Sequence, residues 1–195
     1  MKTIGICIPT IEGGGIKNAV KTDDFDALSI VLSDSVNSTA KAGAQFAIIP
    51  SNTPHIVFPE ILAKSTIPVL SILEVTADHC VKQGYKRVGI LGTSPTVRRR
   101  LYDEPLAKQG IITVYIPDVE QDYVHDVIQN ELIKGIFTEQ TRDGLILVAK
   151  QLAPRCDAIV LGELPLILSE EDCEIKVVDT TRILSHAALD FAFNE

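Results

Sequence analysis

Two short stretches of small polar residues carry most of the chemistry in this 195-residue sequence. The first is Ser51-Asn52-Thr53, which follows the apolar run 46–49 and precedes Pro54 and His55. Thr53 reads as a helix N-cap and Pro54 as the first helical residue, where a missing N–H costs nothing. The backbone N–H groups after Ser51 would then point out of a helix N-terminus, a site for an anion such as a carboxylate. Asn52 and Thr53 themselves read as residues that close the loop and cap the helix. The second stretch is Thr93-Ser94-Pro95-Thr96, after the apolar run 87–91. Thr93, Ser94 and Thr96 form a second anion candidate; the alternative is an ordinary Ser/Thr-Pro helix start. A serine hydroxyl at Ser51 needs an adjacent base to act at neutral pH. His55 is one candidate for that base, and a hydrogen bond within the first helical turn is its other reading. Glu163, after Leu161-Gly162, reads as a lone acid–base group or as a cap on a short loop.

These residues need strands and helices to position them. Apolar runs predict strands over 3–8, 46–49, 68–73, 87–91, 111–116, 158–161 and 177–179. Helical periodicity and stop signals predict helices over 23–42, 54–64, 76–83, 122–134, 138–152 and 182–193, and one from the Ser94-Pro95 start to Gly110. Strands alternating with helices predict mostly parallel sheets, whose ligands bind at the carboxyl ends of strands. The chain also repeats itself. Ala158-Ile159-Val160-Leu161-Gly162-Glu163-Leu164-Pro165 lies over residues 47–54 without a gap. The fold expected is α/β: two pseudo-symmetric Rossmann- or flavodoxin-like lobes, 1–77 and 78–181, with their strand-end loops facing a common cleft. Glu74, Asp179 and Thr180 stand at equivalent strand ends and either line that cleft or cap helices.

Composition narrows the partners. A net charge of −8 leaves no global positive field, which argues against nucleic acid or an anionic membrane as partner. It leaves room for a small anion held by local loop groups. No apolar run is long enough to span a bilayer, no signal peptide is visible, and the expected location is the cytoplasm. Cys7, Cys80, Cys156 and Cys173 are scattered, which gives neither a metal site nor a disulfide framework. Cys7 falls at the end of the first strand as a reactive or a buried structural thiol; Cys156 falls at a helix end, and Cys173 in a surface-like acidic loop. Gly13-Gly14-Gly15 lacks the lysine of a P-loop and reads as a turn. Arg98-Arg99-Arg100, placed early in a helix, would oppose the helix dipole. An anion, a subunit contact or solvent would have to compensate.

Residues 48–55, Ile-Ile-Pro-Ser-Asn-Thr-Pro-His, resemble the first signature of the aspartate/glutamate racemase family, Ile-Pro-Cys-Asn-Thr-x-His. Residues 161–166, Leu-Gly-Glu-Leu-Pro-Leu, resemble the second, Leu-Gly-Cys-Thr-Glu-Leu-Pro-Leu. Residues 84–93 and 177–181 fit the same family. The resemblance implies isomerisation of an acidic amino acid by proton transfer at Cα, without cofactor or metal. One cysteine thiolate removes the proton, and a thiol on the opposite face returns one. It also implies a homodimer, a last helix (182–195) packed back on the first lobe, use of the Thr93–Thr96 loop for the substrate α-carboxylate, and carboxylate binding by Asn52 and Thr53 beside their capping role. The departures fall on the reacting groups. Ser51 stands where the family has its first cysteine, and the second cysteine and its threonine are missing between Gly162 and Glu163. Cys7-Ile8-Pro9-Thr10 replaces the family's Gly-Met-Gly loop. Ser51 and Glu163 are therefore the catalytic candidates, and two-thiol racemisation is expected to be weak or absent. The alternative is a non-catalytic carboxylate-binding or partner protein built on the same fold.

Overall fold

The structure, a computed structural model, describes residues 1–6, 15–162, 164 and 167–193. It divides into two compact units, Met1–Val75 with Thr181–Glu195, and Thr76–Thr180. The first holds a parallel sheet of β1 (Ile4–Ile6), β2 (Phe46–Ile48) and β3 (Val69–Leu70), in that order. Its helices are α1 (Gly15–Lys21), α2 (Phe25–Lys41) and α3 (Phe58–Lys64), and α4 (Ile72–Lys82) runs on into the second unit. Asp24 caps α2 by accepting from the Ala27 N–H at 3.1 Å, and Gly43 ends the turn after it with a φ of 98°. Leu28, Leu32 and Val36 recur at helical spacing and bury that face of α2 with Ala47 and Ile49.

The second unit holds β4 (Arg87–Leu91), β5 (Ile112–Val114), β6 (Ala158–Leu161) and β7 (Lys176–Asp179), all parallel, in the order β5-β4-β6-β7. Its helices are α5 (Ser94–Arg98), α6 (Asp103–Lys108), α7 (Asp118–Asn130), α8 (Glu139–Leu152) and the single turn α9 (Glu170–Cys173). Val124 and Ile128 of α7 and Leu145, Val148 and Leu152 of α8 pack with Leu91, Ile159 and Leu161 of the sheet. The final helix, α10 (Thr180–Phe193), closes on the first unit. The Lys2 N–H donates to the Ala192 carbonyl at 2.9 Å, and the Phe46 and Phe191 rings lie 4.8 Å apart.

In each unit one crossover helix comes close to a strand glycine. A Cβ on Gly5 of β1 would sit 2.5 Å from Thr39 Oγ1 of α2, and one on Gly89 of β4 would sit 2.4 Å from Leu152 Cδ2 of α8. The missing side chain lets the helix that precedes the central strand lie against the sheet in both units. These glycines also fix the repeat. Gly5 pairs with Ala47, whereas Gly89 pairs with Ile159. On the other side of the central strand, Val69 pairs with Ala47 and Val177 with Ile159. The ungapped sequence match sets Ala47 against Ala158; the ladders set it against Ile159, one residue later.

Four local expectations are corrected. The helix expected over 54–64 is a 3-10 turn, Thr53–Val57, followed by α3, with Asn52 rather than Thr53 before it. Pro59 has no N–H to offer the His55 carbonyl, so the Phe58 N–H takes that carbonyl from three residues away. The strand expected over 68–73 stops at Leu70, because Ser71 caps α4 by accepting from the Glu74 N–H at 3.3 Å. The signal was the Ser-x-x-Glu spacing. The helix expected to run to Gly110 breaks after Arg98, and Arg100 takes a φ of 55°. Pro105 cannot donate to the Leu101 carbonyl, so a new helix starts with the proline in its first turn. Cys173, expected in a surface-like loop, is fully buried at the end of α9, which Ser169 and Asp172 cap reciprocally.

Candidate functional site

In the first unit the strand-end loop is fixed by a histidine. The Ile72 N–H donates to His55 Nε2 at 3.2 Å, so the ring proton is on Nδ1, which donates to the Ser51 carbonyl at 2.9 Å. The ring stacks on Phe58 at 4.8 Å. Burial pushes the imidazole down to about 4, against the smaller opposing pull of its backbone bonds at Ser51 and Asn52. His55 is thus neutral with both nitrogens committed to backbone, and it is no base for Ser51. The half-buried Ser51 gives its own N–H to the Ile49 carbonyl at 2.9 Å, and the His55 N–H goes to the Asn52 carbonyl at 2.9 Å. The helix N-terminus expected here belongs to a short 3-10 turn, and Pro54 supplies no N–H. Asn52 is buried and Thr53 half-buried.

In the second unit, Thr93, Ser94 and Thr96 come together and all three are buried. The hydroxyls of Thr93 and Thr96 pair at 3.2 Å. The first amide of α5 is already used, since the Ser94 N–H donates to His125 Nδ1 at 3.2 Å. Any anion contact here therefore falls to hydroxyls more than to that amide. Three buried side-chain atoms have no partner among the described residues: Thr76 Oγ1, Ser94 Oγ and Gln121 Oε1. Two of them are at this loop, because Gln121 Nε2 donates to the Gly92 carbonyl at 2.9 Å. The sequence reading missed Gln121 and His125. A signal existed for Gln121, a polar residue inside the apolar stripe of Val124, Val127 and Ile128.

The other candidates resolve unevenly. Glu163 and Cys7, with the loop after β1, lie outside the described residues. The three described cysteines are free, and none is tuned toward thiolate. Burial pushes Cys80 up to about 12 and raises Cys156 and Cys173 as well. Glu74 lies in the first turn of α4. The Thr180 hydroxyl lies 3.1 Å from both the Leu161 and the Gly162 carbonyls at the end of β6. The arginine run does not oppose a helix dipole. The break before α6 puts Arg98 in the last turn of α5, where positive charge is favoured. Arg98 pairs with Asp122 at 2.6 Å and Arg100 with Asp103 at 2.5 Å. Among the described residues, no group of three His, Cys, Asp or Glu side chains could hold a metal, and no helix is long and apolar enough to cross a membrane.

The sequence model of the Asp/Glu/hydantoin racemases matches residues 7–188. The chain belongs to this family. A broad-specificity amino-acid racemase of Bacillus subtilis is 23% identical over 172 residues, which cover 85% of this chain and 73% of that protein. A Yersinia pestis structure assigned to the Asp/Glu racemases is 31% identical, with a TM-score of 0.84 over 95% of this chain and 82% of that one. The aspartate racemase of Picrophilus torridus is 28% identical, with a TM-score of 0.72 over 84% of this chain and 69% of that one. The α/β architecture with two parallel sheets is the racemase-family fold.

Proposed function

We propose that this chain binds an acidic amino acid or a related small carboxylate and that two-thiol racemisation at its Cα is weak or absent. The observation that carries this is the state of His55. With both ring nitrogens bound to backbone, it cannot serve as the base that the hydroxyl of Ser51, at the position of the family's first cysteine, would need. The raised thiols of Cys80, Cys156 and Cys173 support the same reading. The carboxylate falls to Thr93, Ser94 and Thr96, with Asn52 and Thr53 as candidates in the first unit. The buried Ser94 hydroxyl, without a partner among the described residues, is a donor that a carboxylate oxygen would satisfy.

Hydrogen–deuterium exchange at Cα of both hands of aspartate and glutamate in D₂O tests this. The native chain is expected to exchange no faster than a Ser51→Ala control, while ligand raises the melting temperature of both. Ser51→Cys is expected to gain exchange on one hand only. Its thiolate takes the Cα proton, the thiol equilibrates with D₂O, and the deuteron returns to the same face without inversion. Inversion by the native chain, or exchange well above the Ser51→Ala control, overturns the proposal. The sequence favours a second reading, a diverged isomerase in which Glu163, beside the missing second cysteine, is the acid–base group. Exchange lost in Glu163→Gln would identify it.

A further inference from the structure

Helix α7 grips the Gly92–Thr96 loop with side chains from one face. Gln121 and His125 are one helical turn apart and meet the loop on both sides of Thr93. Gln121 Nε2 donates to the Gly92 carbonyl at 2.9 Å, and His125 Nδ1 accepts from the Ser94 N–H at 3.2 Å. Asp122 adds an ion pair to Arg98 at 2.6 Å, with both side chains at least half exposed.

The Gln121 amide has one orientation that works. Its nitrogen must face the Gly92 carbonyl, since two carbonyl oxygens would repel. That leaves Oε1 buried with no partner among the described residues. A side chain selected for packing alone would not bury an unpaired acceptor in this stripe, where Val124, Val127 and Ile128 are apolar. Among the described residues, the one hydrogen bond that the Gln121 side chain makes goes to the loop backbone.

We propose that Gln121 and His125 are positioning residues of the carboxylate-binding loop. Helix α7 clamps the backbone before and after Thr93, and so sets where the hydroxyls of Thr93, Ser94 and Thr96 are presented. This rests on the reading that the loop binds a carboxylate. The clamp is assembled from outside the loop, so loop order and ligand affinity depend on α7.

Two measurements on the full chain test it together: amide exchange over residues 92–97, and calorimetric affinity for aspartate and glutamate. His125 is half-buried, so its variants leave the core intact. His125→Ala removes the ring and the acceptor. His125→Asn removes the ring but returns an acceptor oxygen close to the position of Nδ1. His125→Ala is expected to speed loop exchange and weaken binding by about tenfold each, the loss of one hydrogen bond, and His125→Asn to restore most of both. Gln121→Met is expected to loosen the loop without lowering the midpoint of global unfolding. Equal behaviour of the Ala and Asn variants, or loop exchange unchanged in His125→Ala and Gln121→Met, overturns the proposal. If the native chain binds neither acid, the carboxylate reading fails by itself, and the exchange comparison still decides whether α7 clamps the loop.

Discussion

The two strand-end loops are both held by a histidine, and they are held differently. His55 comes from the turn that directly follows its loop. It is buried, and it joins the Ser51 carbonyl to the first amide of α4. His125 comes from a separate helix, is half-buried, and takes one amide of its loop. The first arrangement makes the loop part of the core and removes the imidazole from chemistry. The second leaves the loop dependent on a neighbour. The difference teaches that a histidine beside a serine is no evidence of a catalytic pair until both ring nitrogens are accounted for.

Removing each histidine sharpens that contrast most. His55→Ala is expected to cost about 4 kcal/mol, since it opens a cavity and strands two buried backbone groups, whereas His125→Ala should cost about 1 kcal/mol. Urea denaturation of both variants checks this, and equal costs would break the comparison. The pH dependence comes next. The unfolded histidine takes up a proton near its ordinary 6.5, and folded His55 only near 4. Between those values the unfolded state binds more protons, so the contribution is complete above 6.5 and is lost as pH falls toward 4. The loss amounts to about 3 kcal/mol and should be absent in His55→Asn. A stability profile equally steep in that variant would show that another group is responsible.

The strand glycines offer a smaller test of the same two-unit likeness. Gly89→Ala drives its Cβ into Leu152, which is fully buried, and should cost about 2 kcal/mol. Gly5→Ala meets the half-buried Thr39, which has more room to shift, and should cost about 1 kcal/mol. Thermal melts of the pair would reveal a reversed order. Least affected is the exposed Arg98–Asp122 pair: Arg98→Ala should change stability by less than about 0.5 kcal/mol. A larger effect would give the ion pair a part in the α7 clamp that its exposure argues against.

Much of the fold was legible because it is written in local chemistry. The apolar strands 46–48, 87–91 and 158–161, the helix expected over 138–152 and the helix-ending Gly43 all work within a few residues of themselves. Mistakes fell where one residue changed the hydrogen-bond ladder of its neighbours. Pro59 turned a helix start into a 3-10 turn, Pro105 broke a helix in two, and Ser71 with Glu74 converted the end of an apparent strand into a helical turn. The candidate site was half visible. Thr93, Ser94 and Thr96 do gather in one loop, but nothing near them in sequence points to Gln121 or His125, which lie about one crossover away.

The sequence by itself determined the alternation of strands and helices, the internal repeat and the family, since these follow from periodicity and contiguous motifs. Tertiary structure decided the roles of the polar side chains. It committed both nitrogens of His55 to backbone, set the repeat one residue off its ungapped alignment, and brought Gln121 and His125 to the Thr93 loop. The reason is that a buried polar atom takes its character from the partner it reaches. That partner is chosen by how the strands and helices pack, over separations that no short motif records.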